Sequence, residues 1–223
     1  MEKLLKTITM TVAVVTVVTV AFVAVTFAYA AQVKTVALPA PQTEKGRPLM
    51  QVLKDRKSIR EFSAVDLPLQ VLSDLLWAAC GVNRPDSGKR TAPSAIDMQE
   101  IDVYVAKSEG LYLYDAKQHA LAPVLPKDIR AVTGQQPFVK EAPVNLIYVA
   151  DLSKMSSMPG PNRDFYAAVD TGYISENVYL YCSSEGLATV VRGWFDKDAL
   201  HKAMQLRDTQ RVILTQTVGY PKK

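Results

Sequence analysis

The chain has 223 residues, 48% of them apolar and 22% charged, with a formal net charge of +4. That length holds one domain with a real core once a leader is set aside, and the composition is that of a globular protein, not a disordered or fibrous one. The charge is too mild for a nucleic-acid binder, and no basic stripe with interleaved aromatics runs along the chain.

Residues 1–30 read as a signal peptide. Lys3 and Lys6 form a short positive region, an apolar run follows from Thr9 to Ala31, and Ala28-Tyr29-Ala30 fits a cleavage site. The run is close to the ~20 residues that span a bilayer, so an uncleaved membrane anchor is the alternative. Either way the lysines stay inside and the rest is carried across. The expected location is therefore extracytoplasmic or periplasmic, where nicotinamide cofactors are not abundant. No cysteine sits at the cleavage point and no twin arginine precedes the run.

Residues 31–47, with Pro39, Pro41 and Gly46, read as a linker, and residues 48–223 as the folded domain. Leu49, Val52 and Leu53 share a face at helical spacing and predict a helix over 48–56. Pro68 starts a second helix, Leu69, Leu72, Leu75, Leu76 and Ala79 give its stripe, and Gly81 ends it. Asn83 to Thr91 reads as a polar loop. Ile101–Ala106 and Leu111–Tyr114 predict strands, with His119–Pro123 a candidate third, and the turn between the last two suggests a hairpin with an exposed surface. Pro126–Val132 predicts a short helix, Val144–Ala150 a buried central strand, and Met155–Asn162 a mobile connection. Phe165–Ser184 is the longest helical pattern; Leu200–Leu206 is a further helix and Arg211–Val218 a last strand. This mixture predicts an α+β fold. Cys80 and Cys182 read as small buried hydrophobes, and His119 and His201 lack metal-ligand spacing, so no metal site is expected.

Three segments carry the chemistry. Arg56-Lys57-Ser58-Ile59-Arg60-Glu61-Phe62 puts three cations and a hydroxyl together, the donor set a phosphate needs, although a solvated helix end would look the same. Arg90-Thr91-Ala92-Pro93-Ser94-Ala95 and Gly186 to Asp196 follow, each readable alone as a turn or a helix stop. In this order the three resemble the FMN-dependent nitroreductase family, over roughly Leu49 to Pro221. The stretch from Leu72 to Leu121 is similar to its azoline-dehydrogenase-like branch, which usually has glycine where Ile96 stands.

The resemblance implies a mostly antiparallel sheet flanked by helices, in a homodimer with shared flavin sites. It implies FMN as cofactor, NAD(P)H as a possible donor class, and ping-pong hydride transfer through the flavin N5 to a small-molecule acceptor. Arg56, Ser58 and Lys57 match the phosphate contacts, and Arg60 the cation at the pyrimidine edge. Pro93, Ser94, Ala95, Asp97 and Gln99 match the segment that the partner subunit lays along the ring, with Asp97 in place of the usual asparagine. Val191, Arg192 and Gly193 match the backbone passing the N5 edge, where Arg192 replaces a commonly acidic residue and would make the pocket more positive. Lys222 matches a further phosphate cation. No catalytic side chain is expected, since the flavin carries the reaction. A flavin-holding or electron-carrying protein without turnover is the alternative.

Overall fold

The computed structural model describes residues 34–222; the leader over 1–30 lies outside them. In chain order the elements are β1 (Val36–Ala37), α1 (Leu49–Asp55), α2 (Leu69–Cys80), β2 (Val82–Arg84), β3 (Lys89–Arg90), β4 (Ile101–Lys107), β5 (Gly110–Asp115), β6 (Ala120–Leu125), β7 (Val144–Asp151), α3 (Gly160–Glu185), β8 (Ala188–Arg192), α4 (Lys197–Met204) and β9 (Gln210–Gly219). Seven strands form one sheet in the order β1-β6-β5-β4-β7-β9-β8, every pair antiparallel.

The sheet is central because both of its faces are covered. β7 is buried along its whole length, as its unbroken apolar run Val144–Ala150 requires. One face carries α3: Tyr148 donates to Gln216 Oε1 at 2.5 Å, and Gln216 Nε2 reaches on to Ser175 O of α3. α2 packs against α3 through Leu72, Leu75, Leu76 and Ala79, all buried. The other face takes α4, where Leu200 and Met204 close over Tyr104, Ile147, Val149 and Val212. α3 stops where Gly186 adopts a left-handed φ of 70°, its N–H donating to Cys182 O.

Several sequence expectations change in the structure. Residues 34–47, where a linker is expected, lie on the domain: Val36 and Ala37 pair with Leu121 and Ala120, and Gln42 N–H donates to Asp74 Oδ1 at 2.8 Å. The expected polar loop at 83–91 holds the β2–β3 hairpin. The β5–β6 hairpin exposes Pro123 and Val124 of β6, whereas Leu111, Tyr112 and Tyr114 of β5 are buried. The helix expected at 126–132 reduces to a 3-10 turn at Arg130–Val132, because Ile129 before it has φ −114° and ψ 9°, outside the α-helical range. Within the expected mobile connection, Met155 and Met158 are buried and α3 already begins at Gly160. Cys80 and Cys182 are buried free thiols, and burial pushes Cys80 up to about 11.

Candidate functional site

The Arg56–Phe62 segment leaves α1 and runs along the edge of the sheet. Ile59 N–H donates to Thr189 O of β8 at 3.0 Å, Phe62 bridges to Pro221, and Lys222 N–H donates to Glu61 O at 3.2 Å. Three segments distant in sequence are thus drawn to one place: the heptad, the first residues of β8 and the C-terminal tail.

Tyr179, on α3, braces this junction. Its hydroxyl lies 2.8 Å from Ser58 Oγ and accepts the Val191 N–H at 3.0 Å, and its ring lies beneath the Arg56 guanidinium at 5.1 Å. The sequence does not single out Tyr179, because a tyrosine on a half-buried helix carries no mark of its own. Its position on the apolar side of the longest helix, opposite a Ser-containing basic segment, is the only available signal.

The cations here are unspent. Among the described residues, Arg56, Lys57, Arg60 and Lys222 make no ion pair with any carboxylate. Lys57 lines a groove of about 400 Å³ with Tyr179, Gly186 and Thr189, and Lys222 lines a larger cleft of about 1050 Å³ with Phe62 and Tyr220. Gly193 is exposed, and a Cβ there would meet only Leu214 Cδ2 at 3.7 Å. The fold itself therefore places no demand for glycine at 193, whereas a ligand approaching the backbone would. A cluster of free cations, a braced hydroxyl and an unobstructed backbone fits a phosphorylated, planar cofactor.

Arg192 departs from the sequence expectation. Strand alternation turns its side chain to the face opposite Tyr179. It is 6% exposed, and its guanidinium donates to Thr133 O at 3.2 Å, Asn145 Oδ1 at 3.0 Å and Thr217 Oγ1 at 2.7 Å. Phe138 lies against it at 5.6 Å and in turn against Phe62 at 5.2 Å. Burial alone lowers its pKa to about 10. Arg192 is a structural cation within the domain and does not put charge into the pocket; only its backbone is left for a ligand.

Pro93, Ser94, Ala95, Asp97 and Gln99 stand apart from this junction. Ala95 N–H donates to Asp170 Oδ2 at 2.8 Å, and Gln99 N–H to Ser94 Oγ at 3.0 Å. Asp170 precedes Tyr179 by nine residues of α3, a separation of roughly 13 Å along the helix axis. Asp97 is exposed and accepts from Gln99 Nε2 at 3.1 Å, so its carboxylate carries no burial cost within the chain. Tyr112 and Tyr114 are buried packing residues, not a stacking surface.

The loop is strained. Ile96, Asp97 and Gln99 hold left-handed φ values of 44°, 60° and 49°. For a β-branched residue this costs about 1–2 kcal/mol, and Ile96 buries little in return, being 79% exposed. Ile96→Gly is expected to raise unfolding stability by about 0.5–1 kcal/mol after the extra chain entropy of glycine is subtracted. Chemical unfolding of the two proteins checks it; a clear loss of stability would show that Ile96 is held by contacts beyond this chain.

The sheet order and the two helical layers define an α+β protein with a basic segment along one edge of its sheet. The Nitroreductase family matches residues 53–220, and the chain belongs to that family. It is 46% identical to a candidate nitroreductase of Ralstonia eutropha whose crystal structure superposes with a TM-score of 0.82, covering 85% of this chain and 90% of that one. A candidate nitroreductase of Methanocaldococcus jannaschii is 29% identical over 190 residues, 81% of this chain and 95% of that protein. A chain of the Escherichia coli microcin synthetase McbBCD complex shares the fold at a TM-score of 0.68 and 20% identity, covering 75% of this chain and 70% of that one. Membership makes an oxidoreductase the expected class of activity.

Proposed function

We propose that the chain is an FMN-dependent oxidoreductase of nitroreductase type, exported by its leader and working as a homodimer. The observation that carries this reading is the basic segment Arg56–Arg60 docked beside β8, with Arg56 over the Tyr179 ring, Ser58 hydrogen-bonded to its hydroxyl, and no carboxylate paired to Arg56, Lys57 or Arg60 among the described residues. Arg56, Lys57 and Lys222 would hold the phosphate, with Ser58 supplying a short hydroxyl contact. Arg60 would face the pyrimidine edge, where a permanent cation favours added negative charge. Gly193 and the end of β8 would offer backbone at close range. When bound, FMN supplies two-electron chemistry that no side chain of this site provides.

A second copy is part of the proposal. Leu49, Met50 and Leu53 on α1, with Ile96, Phe165 and Trp194, are large apolar side chains left exposed by the single chain. The Pro93–Gln99 loop lies too far along α3 to serve its own junction, which fits a role at the partner's site. The electron donor is proposed as NADH, NADPH or a quinol, and the acceptor as a small molecule.

The test is an absorption spectrum of the purified full chain, with mass analysis of what heat releases. Flavin bands, a mass matching FMN and bleaching by one of the three donors are expected. A colourless protein that also fails to take up added FMN sinks the proposal; bound flavin that no donor bleaches leaves the electron-carrying alternative.

A further inference from the structure

We propose that Glu100 and Asp170 form a buried carboxyl pair that shares one proton and thereby positions the Ser94–Gln99 loop against α3. Glu100 is fully buried where the loop enters β4, and neither of its carboxyl oxygens has a hydrogen-bond partner among the described residues. Asp170, 2% exposed, projects from α3 and is the group that holds the loop, through Ala95 N–H at 2.8 Å. The backbone of Glu100 is fixed as well, its carbonyl accepting from Asp151 N–H at 3.0 Å.

An ionised Glu100 in this position would be a bare charge in a dry place, beside a second carboxylate. A proton removes that conflict, because a protonated Glu100 becomes a donor and Asp170 an acceptor. Burial first, and then the Asp170 carboxylate, raise the Glu100 carboxyl to about 7, against the pull of its own backbone and of Lys154. The other charged groups around the pair do not neutralise it. Lys154, on the turn after β7, is committed to Asp102 Oδ1 of β4 at 2.7 Å. Arg90 of β3 lines the small cavity shared by Cys80, Ser94, Gln99 and Asp170, with its Nε unpartnered.

The loop is poised to respond. Its left-handed residues Ile96, Asp97 and Gln99 store strain that relaxes once the tether at Asp170 weakens. The sign follows from the raised pKa. Below about pH 7 the shared proton is present and the loop is held; as pH rises through that value the proton leaves, two carboxylates face each other, and the grip on Ala95 loosens. Glu100 is thus a positioning residue acting through Asp170. Its consequence for cofactor binding rests on the flavin reading above; its effect on the loop does not.

The test is hydrogen exchange of the loop amides in the full chain, from about pH 5.5 to about pH 8.5, divided by the intrinsic exchange rate, for wild type and Glu100→Gln. Protection in wild type should fall by about tenfold or more across neutrality and stay level in Glu100→Gln, whose amide is a permanent donor. The dissociation constant for added FMN should follow the loop in wild type and lose its pH dependence in the variant. Parallel pH profiles in the two proteins would overturn the proposal. If Glu100→Gln does not fold, the carboxyl carbon of Glu100 can be titrated directly in wild type by NMR, and a midpoint in the ordinary glutamate range would overturn it equally. Failure of FMN to bind at any pH would count against the flavin reading alone, since the exchange profiles still decide the carboxyl pair.

Discussion

Arg56→Ala/Arg60→Ala should weaken FMN binding by at least about a hundredfold, since each charge-assisted contact contributes about 1.5–3 kcal/mol. Neither guanidinium is spent on a carboxylate of the described chain, so both are free for a ligand. The fold should survive the change. Arg60 is exposed, and the contact of Arg56 with the Tyr179 ring is worth only about 0.5–1 kcal/mol. Titration of FMN by flavin fluorescence, with circular dichroism to check the fold, reads the effect. Lys117→Ala/Lys127→Ala removes the same net charge from exposed positions that follow β5 and β6. An equal loss in that control would mean that bulk charge, not the junction, attracts the cofactor.

The regular elements were legible because their apolar residues keep a single period. α2 shows its stripe at helical spacing, and β7 shows an unbroken run that only a strand covered on both faces tolerates. What failed to show were features decided by tertiary contact. β1 has two residues and acquires its hydrogen bonds from β6, so nothing within the segment distinguishes it from a linker. Leu111–Tyr114 alternates correctly, but alternation cannot reveal that both faces of β5 are covered.

The site divides in the same way. Basic residues near a hydroxyl have a local signature, and Arg56, Lys57, Ser58 and Arg60 lie together at the junction. Arg192 has the same charge and an opposite fate. Its neighbours Val191 and Gly193 can serve the site with backbone while its side chain leaves by the other face, a parity that needs the partner strand to be known. Asp170 has no local signature either, since its bond to Ala95 N–H joins residues far apart in the chain.

Gly134→Ala should cost roughly 3 kcal/mol, because the new Cβ has nowhere to go. It would overlap Arg192 Nη1 and lie 2.9 Å from Gln136 Oε1 and 3.0 Å from Val139 Cγ1. A guanidinium at a surface would swing aside at little cost. This one is buried and bonded to Thr133, Asn145 and Thr217, so displacing it strips hydrogen bonds from a charge that has no carboxylate to fall back on. With its pKa lowered only to about 10, Arg192 remains charged at neutral pH and cannot escape by losing its proton. Thermal unfolding should show a fall of about 6–12 °C for a domain of this size. Adding Arg192→Met removes the clash, and the acceptors it leaves keep other partners, Thr133 O from Thr215 Oγ1 and Asn145 Oδ1 from Thr217 Oγ1, so the double variant should cost less than the two single changes summed. Strict additivity would show that Gly134 and Arg192 do not share a cradle, and a Gly134→Ala protein as stable as wild type would show that the guanidinium has room to move.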